Sequence, residues 1–275
     1  MKVKYTKILS AILAIVIVLT VAVPSLAAGT TQPKYCGTSE ELSDYMLSQL
    51  GNRVENISVT IPNTLSEADF TNTGIFRQVL RKDNGSIRWG YKGGTVQIEK
   101  HSGYTTYNYI VQYYSTKDQD DAARKYADEV VAKLGCEGLS DVQKVQKLRE
   151  FVTTNWRYDK TLKNMTAHST MKNKSGTCLG LVLASQLMLE SMGIQTQTVH
   201  GKYSGSNAYH IILLVKLNGW WYTFDPSELA REKPIFTSHL RAEYINRFTP
   251  EAEYLTDSFR KTYPMITLQT SIANK

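Results

Sequence analysis

The dipeptide Asn218-Gly219 constrains the fold more than any other feature of the sequence, because it separates two runs of β-forming residues by only two positions. Asn-Gly favours the type I′ turn of a tight hairpin, and a two-residue turn fixes the register of the strands on either side. Leu217 then pairs with Trp220, and Leu213 with Phe224. The residues of this face are all apolar or aromatic, which supports the register.

The same register places two chemically useful side chains on the opposite face of the hairpin. It pairs Ile212 with Asp225 and His210 with Ser227. His210 and Asp225 are then diagonal neighbours, about 7–8 Å apart at the backbone and within reach of each other's side chains. An ionised Asp225 would fix the tautomer of the imidazole and stabilise its protonated form. We therefore predict that His210 is a base and that Asp225 orients it.

A cysteine lies upstream of this pair, at the start of a predicted helix. Residues 179–192 are nearly all apolar and end at Gly193, which predicts a buried helix with Thr177 as a suitable N-cap. Cys178 then lies in the first turn. There the helix dipole favours a thiolate by about 0.3–1 kcal/mol at an exposed site, and the free N–H groups can hold an oxyanion. The alternative is a small core residue, and the nearby His210 and Asp225 favour a nucleophile instead.

A second histidine competes for the role of base. His200 lies one strand earlier, but no carboxylate adjoins it in the sequence, so we assign the role to His210. The remaining histidines fall in polar or weakly patterned segments and are predicted to lie at the surface: His101, His168 and His239.

Residues 38–134 are predicted to form a mixed α/β region that precedes a domain over 135–275. The patterns indicate helices over 39–50, 66–82, 118–134 and 141–156, strands over 57–61, 87–91, 95–100 and 104–114, and a polar loop over 160–175. In the strand 104–114, Tyr107, Tyr109 and Tyr113 share one face with Val111. This row favours the inner face of a sheet packed on a helix, and a carbohydrate-binding platform is the alternative.

The N-terminus has the pattern of a secretory signal peptide over residues 1–27. Three lysines precede an apolar run over 8–23, and Ala27-Ala28 provides small residues for cleavage. The alternative is an uncleaved membrane anchor, although the run is short for a bilayer span of about 20 residues. We expect a protein that is secreted or associated with the cell envelope, without stable membrane insertion after cleavage. Residues 28–37 are expected to form a flexible leader.

Charge and cysteine content limit the classes of partner and cofactor. Loss of the three N-terminal lysines lowers the formal charge from +7 to +4, and the basic residues are scattered, so no nucleic-acid partner is expected. No C-x-x-C and no histidine pair at helical spacing occurs, so we predict no metal and no cofactor. If Cys178 is a free nucleophile, Cys36 and Cys136 could form a disulfide, or both could be reduced. The sequence leaves this open.

These residues together resemble the bacterial transglutaminase-like superfamily over roughly residues 138–227. The shared elements are the glycines around the cysteine, the glycine before the histidine strand, the hairpin and the Asp-Pro element: Gly176-Thr177-Cys178 with Gly180, Gly201, His210, Asn218-Gly219 and Asp225-Pro226-Ser227. The resemblance implies an α+β, papain-like core in which a catalytic helix packs on an antiparallel sheet. It also implies a Cys178–His210–Asp225 triad and an upstream aromatic, Trp156 or Tyr158, that could assist the oxyanion.

The sequence departs from the family beside the histidine. His210 is followed by Ile211-Ile212-Leu213, where the family often has Ala-Trp-Asn, and Val182 replaces a residue that is small in many members. The resemblance implies a thiol enzyme that acts on amide bonds through a thioester, resolved by water or by an amine, with a peptide or protein substrate at the cell wall or surface. The alternative is a non-catalytic module on the same fold that binds peptide or cell wall.

Overall fold

The computed structural model of this protein describes residues 32–65, 83–203, 208–231 and 248–265. The signal segment 1–27, the helix expected over 66–82 and His239 lie outside these residues. The chain divides into two compact units, Met1–Tyr114 and Ser115–Lys275.

The first unit contains a helix and a four-stranded sheet. The helix is α1 (Ser39–Gly51), and the strands are β1 (Lys34–Tyr35), β2 (Asn56–Pro62), β3 (Tyr91–Lys100) and β4 (Tyr104–Tyr113). Their order is β1-β2-β4-β3, with β1 parallel to β2 and the other pairs antiparallel. Leu42, Met46 and Leu50 of α1 share one core with residues of the sheet.

The tyrosine row of β4 belongs to this core. Tyr107, Tyr109 and Val111 are buried, and Tyr113 packs partly buried against the same cluster. The tyrosines therefore form the inner face of a sheet packed on a helix, as predicted. They are not exposed as a binding platform.

The start of the first unit differs from the expected flexible leader over 28–37. Lys34 and Tyr35 form a short strand beside Val59 and Thr60, and Cys36 is fully buried. The Cys36 N–H donates a hydrogen bond of 2.9 Å to the carbonyl oxygen of Thr60. A strand of two residues is too short to show an alternating pattern, so the sequence gives no signal of it.

The strand expected over 87–91 is also absent, since Arg88–Gly90 is a single 3₁₀ turn. The cause is the buried carboxylate of Asp83, which accepts hydrogen bonds from the N–H groups of Ile87 (2.7 Å) and Arg88 (2.8 Å). Backbone donors held in this way cannot join a sheet ladder. The strand β3 consequently begins only at Tyr91.

The second unit is built around a buried helix and an antiparallel sheet. Its helices are α2 (Lys117–Leu134), α3 (Asp141–Asn155), α4 (Ala167–Asn173), α5 (Cys178–Ser191), α6 (Pro226–Leu229) and α7 (Asp257–Thr262). Its strands are β5 (Arg157–Tyr158), β6 (Ser175–Gly176), β7 (Thr196–Tyr203), β8 (Tyr209–Leu217), β9 (Trp220–Phe224) and β10 (Phe248–Pro250). The main sheet has the order β10-β7-β8-β9, and β5 pairs with β6 in parallel.

Helix α5 packs against β8 on one side and against α2 and α4 elsewhere. Its side chains are buried nearly all round, including Leu181, Val182 and Met188. A wholly apolar helix is expected to be enclosed in this way. The α+β fold with a helix packed on an antiparallel sheet is therefore confirmed.

The boundary between the units lies at Tyr114/Ser115, twenty residues before the position expected from the sequence. Helix α2 packs against α4 and α5 and buries Ala123, Ala127 and Val131, so it belongs to the second unit. Gly135, which follows the helix predicted over 118–134, is the left-handed C-cap of α2, with φ of 62°.

Serine and threonine side chains define where the helices of the second unit begin. Thr116, Ser140 and Thr166 each form a capping box with the residue three positions later, and Thr177 accepts a hydrogen bond from the Gly180 N–H. These caps satisfy N–H groups that have no partner inside a helix. Within the described residues, no helix is long and apolar enough to cross a bilayer.

Gly201 of β7 allows two backbones to approach closely next to His210. It lies opposite His210 on one side and Pro250 on the other. A Cβ atom at this position would lie 2.2 Å from the carbonyl oxygen of Thr249 and 2.8 Å from Cζ of Phe248.

We therefore expect Gly201→Ala to lower the free energy of unfolding by about 1–3 kcal/mol, because β10 must move to admit the methyl group. Urea unfolding followed by circular dichroism measures the change. Gly103→Ala is the control, since a Cβ atom there meets nothing within 4 Å. Equal stability of the two variants would contradict this account of Gly201.

Candidate active site

The hairpin has the register that Asn218-Gly219 predicts. All five ladder pairs from Leu213–Phe224 to Leu217–Trp220 are present, and Asn218 and Gly219 have φ of 51° and 85°. Both positive angles are those of a type I′ turn. The turn therefore sets the positions of β8 and β9 as the sequence indicates.

The ladder stops one residue before Asp225. The pairs expected between Ile212 and Asp225 and between His210 and Ser227 do not form, because Asp225 is the N-cap of helix α6. Its Oδ1 accepts hydrogen bonds from the Ser227 N–H (3.0 Å) and the Ser227 hydroxyl (2.7 Å). Pro226 favours this helix start, since it has no N–H to contribute to a ladder.

The other oxygen of Asp225 contacts His210. The Asp225 Oδ2 lies 2.7 Å from His210 Nε2, and both side chains are buried. Burial lowers the pKa of the imidazole, but the charge of Asp225 and its hydrogen bond outweigh this and raise the pKa of His210 to about 10. Burial likewise opposes ionisation of Asp225, and the charge of His210 holds the pKa of that carboxyl below its usual range. The pair is therefore an imidazolium and a carboxylate at neutral pH.

Cys178 is the first residue of helix α5, as the sequence predicts, and it is half-buried. A hydrogen bond between Cys178 and the imidazole is a further cause of the raised pKa of His210. Since Nε2 faces Asp225, Nδ1 is the ring nitrogen left for the sulfur. The structure thus brings the three predicted site residues together around one imidazole.

The approach to Cys178 is held by a loop that the sequence predicted only as polar. The carbonyl oxygen of Asn164 accepts a hydrogen bond of 2.9 Å from the Thr177 N–H. A Cβ atom on Gly180 would lie 2.4 Å from that oxygen and 2.3 Å from the hydroxyl of Thr170. Gly180 is therefore required because this segment passes directly over the first turn of α5.

Asp159 orders the same loop. Its carboxylate accepts hydrogen bonds from the Thr161 hydroxyl (2.6 Å) and from the N–H groups of Thr161, Lys163 and Asn164 (2.8–3.0 Å). The Thr161 hydroxyl is the largest cause, and these bonds lower the pKa of Asp159 to about 2. The Asp159 N–H also donates to the carbonyl oxygen of Gly176 (2.8 Å), so Asp159 ties the loop to the strand that precedes Cys178.

The two upstream aromatic residues differ in environment. Trp156 is fully buried and packs edge-on against Phe151. Tyr158 is half-buried beside the site, and its ring lies under the guanidinium of Arg231 at 4.4 Å. Burial raises the pKa of the Tyr158 hydroxyl, and the next cause is the charge of Cys178. Trp156 is thus a core residue, whereas Tyr158 lies near the sulfur.

The prediction that His200 has no carboxylate neighbour is wrong. Its Nε2 lies 3.1 Å from Glu251 Oε2, and its Nδ1 lies 3.7 Å from Glu253 Oε1 and 2.8 Å from the Tyr254 hydroxyl. These partners follow His200 by about fifty residues, so inspection of its sequence neighbours could not find them. His168 is likewise half-buried in helix α4 and is not a loop residue at the surface.

Two polar residues beside the His210–Asp225 pair were not predicted from the sequence. The ring of Tyr203 stacks on His210 at 4.3 Å, and its hydroxyl lies 2.9 Å from His210 Nε2. The same hydroxyl lies 3.2 Å from Oε1 of Glu228, which is fully buried. The position of Glu228 three residues after Asp225 places it in the same short helix, but nothing in the sequence indicates that it faces inward.

All three cysteines are free thiols, and Cys36 and Cys136 are buried. Burial raises the pKa of both of these thiols. Among the residues that the structure describes, no group of three or more His, Cys, Asp or Glu side chains could hold a metal ion.

Residues 124–226 match the family model of the transglutaminase-like superfamily. This segment is a transglutaminase-like domain. The match confirms the resemblance drawn from the sequence, and it contains Cys178, His210 and Asp225. Among curated proteins, none matches the chain.

Three solved structures resemble this chain. A structure described as a TGase is 14% identical, with a TM-score of 0.38, and the alignment covers 78% of this chain and 63% of that one. A proposed cysteine protease from Cytophaga hutchinsonii is 13% identical, with a TM-score of 0.35 and coverage of 49% and 62%. A proposed protease from Parabacteroides distasonis is 10% identical, with a TM-score of 0.28 and coverage of 69% and 45%. The chain spans less than two thirds of the length of each.

The charge state of the pair predicts how Asp225→Asn changes stability with pH. The raised pKa of His210 stabilises the fold fully below the unfolded pKa of about 6.5, and this stabilisation is lost as the pH rises through about 10. The lowered pKa of Asp225 stabilises the fold above about pH 4, and this is lost in acid. The cost of Asp225→Asn should be largest near pH 5, at roughly 1.5–3 kcal/mol, and shrink towards pH 10.

Urea unfolding at pH 5, 7 and 9.5 measures this dependence. The control is Asp141→Asn, which changes a carboxylate in the first turn of α3 whose side chain is 44% exposed. Its effect should be the same at all three values. A cost of Asp225→Asn that stays constant from pH 5 to pH 9.5 would contradict the imidazolium–carboxylate assignment.

Proposed function

We propose that this chain is an exported thiol enzyme that acts on amide bonds, with Cys178 as nucleophile, His210 as base and acid, and Asp225 as the group that orients His210. The observation that carries the proposal is the buried contact of 2.7 Å between His210 and Asp225, combined with the hydrogen bond of the same imidazole to Cys178. A thiol activated by an oriented base is the arrangement that nucleophilic catalysis needs.

In the first half of the reaction, the Cys178 thiolate attacks the carbonyl carbon of the amide and forms a C–S bond. The N–H groups in the first turn of α5 stabilise the negative charge that develops on the carbonyl oxygen. As the C–N bond breaks, the His210 imidazolium gives its proton to the leaving amine. The products are a free amine, a thioester on Cys178 and a neutral imidazole, which Asp225 holds in position.

In the second half, an incoming nucleophile resolves the thioester. Neutral His210 accepts a proton from water or from an amine as that group attacks the carbonyl carbon. The C–S bond then breaks and the thiolate and imidazolium are restored. Water yields a carboxylic acid, as in a peptidase or amidase, and an amine yields a new amide, as in a transglutaminase. The same three residues serve both outcomes.

The substrate class follows from the compartment. Residues 1–27 have the pattern of a cleaved signal peptide, so we propose that the protein acts outside the cell or in the envelope. Peptides of the cell wall or proteins at the cell surface are the amides available there.

The alternative function is a non-catalytic binding module, which the sequence supported with two observations. The structure removes one of them. The module depended on the tyrosine row of β4, and those tyrosines lie in the core of the first unit. The altered residues after His210 are its remaining support. The thiol enzyme is therefore the function that we propose.

Alkylation of Cys178 by iodoacetamide across pH tests the proposal. A thiolate paired with an imidazolium should react at pH 6, whereas an ordinary thiol with a pKa of about 8.5 is less than 1% ionised there. We expect His210→Ala to slow the reaction at pH 6 by about 100-fold, with little change at pH 9.5. Mass spectrometry locates the label, since Cys36 and Cys136 are also free.

His200→Ala is the matched control, because it removes a histidine that also contacts carboxylates but lies outside the proposed triad. Its alkylation profile should follow that of the unchanged protein. Reactivity of Cys178 that is indifferent to His210 would overturn the proposed function.

Incubation with a glutamine-containing peptide distinguishes the two outcomes. With water alone, a transglutaminase or a glutamine amidase releases ammonia from the side chain, and a peptidase instead cleaves the backbone and releases a shorter peptide. When a primary amine such as cadaverine is added, a transglutaminase incorporates the amine into the peptide, and a hydrolase gives the same acid product as before. Cys178→Ser should abolish either product, and mass spectrometry measures both.

A further inference from the structure

The hydroxyl of Tyr203 lies within hydrogen-bonding distance of three ionisable groups. It lies 2.9 Å from His210 Nε2, 3.2 Å from Glu228 Oε1 and 3.3 Å from Asp225 Oδ2. Its ring stacks on the imidazole with an angle of 23° between the planes. Burial raises the pKa of this phenol, followed by the charges of Asp225 and Glu228, so it keeps its proton. Tyr203 therefore has one proton to donate and two carboxylates within reach.

The hydrogen bonds that Asp225 already accepts make Glu228 the better acceptor of that proton. Asp225 Oδ2 is already the acceptor for His210 Nε2 at 2.7 Å, and Asp225 Oδ1 accepts two hydrogen bonds from Ser227. Glu228 Oε1 is the nearer of the two acceptors for Tyr203. The Tyr203 O–H then points to Glu228, and its oxygen, 2.9 Å from Nε2, shares the proton of His210.

Arg231 is the ion-pair partner of Glu228. Glu228 is fully buried, and its Oε1 lies 3.0 Å from Nε of Arg231. A buried carboxylate requires such a partner. The guanidinium also lies over the ring of Tyr158, which is beside Cys178. Among the residues that the structure describes, the charged and titratable groups around the imidazole thus include Cys178, Tyr203, Asp225 and, one step removed, Glu228 and Arg231.

We propose that Glu228 is a positioning residue for His210, which acts by holding the Tyr203 proton away from Asp225. Without Glu228, the Tyr203 hydroxyl turns to Asp225 Oδ2 and competes with the imidazolium for the same oxygen. With it, His210 is the nearer partner of that oxygen, at 2.7 Å against 3.3 Å for the Tyr203 hydroxyl. This inference rests on the proposed function, in which His210 is the catalytic base.

Titration of His210 by NMR tests the inference through its Cε1–H signal, which Asp225→Asn identifies by its shift. We expect Glu228→Met, which removes the oxygen that accepts the Tyr203 proton, and Tyr203→Phe, which removes the oxygen beside Nε2, each to lower the pH at which His210 loses its proton, by about one unit. In both variants, the alkylation of Cys178 at pH 6 should slow several-fold. The matched controls are Glu190→Met, which changes another Glu–Arg pair, and Tyr222→Phe in the neighbouring strand β9. Neither control should move the titration.

The double variant Glu228→Met/Arg231→Met separates positioning from simple neutralisation of Arg231. It removes both charges, so it also avoids leaving Arg231, whose side chain is 25% exposed, without its carboxylate partner. If Glu228 positions the Tyr203 proton, His210 in the double variant still titrates below its value in the unchanged protein. If Glu228 only balances Arg231, the double variant titrates like the unchanged protein, and the inference is overturned.

Failure of this inference is distinguishable from failure of the proposed function. Cys178 reactivity that depends on His210, together with unchanged titration in Tyr203→Phe and the double variant, rejects the role of Glu228 and leaves the thiol enzyme intact. Reactivity that ignores His210 rejects the thiol enzyme. The titration still reports on whether Glu228 and Tyr203 hold the imidazole.

Discussion

The ion pair between His210 and Asp225 is the interaction on which the arrangement of the second unit depends. Two charged groups in a protein interior are stable only when each has a partner at hydrogen-bonding distance, and the 2.7 Å contact supplies it. The pair also joins two pieces of structure, since His210 belongs to β8 and Asp225 begins helix α6. The position of the hairpin, the start of the helix and the charge of the imidazole are therefore coupled.

Two separate parts of the fold supply the residues of the site. The hairpin brings His210 and its partner Asp225, and the first turn of α5 brings the sulfur of Cys178. The loop from Asp159 to Asn164 fixes that turn from outside through the hydrogen bond between Asn164 and Thr177. Alignment of sulfur and imidazole thus depends on how α5 packs on β8, and apolar residues far from the chemistry, such as Met188 and Leu213, contribute to it.

Much of this site could be predicted from the sequence because its signals are local. Asn218-Gly219 fixes a register, Thr177 and the apolar run after it fix a helix start, and both follow from backbone geometry. Tyr203, Glu228 and the carboxylates around His200 could not be predicted, because each is brought to its partner by tertiary packing. Lys34 and Tyr35 were missed for a different reason, since a strand of two residues has no periodicity. The boundary at Tyr114 was missed because only tertiary packing on α4 and α5 shows that helix α2 belongs to the second unit.

Asp225 divides its two oxygens between two tasks: Oδ1 starts helix α6 and Oδ2 holds His210. A single protonation of this carboxyl group would weaken both contacts in one event. The helix that carries Glu228 would then lose its cap at the moment that the imidazole loses its counter-ion. Inactivation in acid would therefore be cooperative over this corner of the molecule, and recovery on neutralisation would require the helix and the ion pair to re-form together.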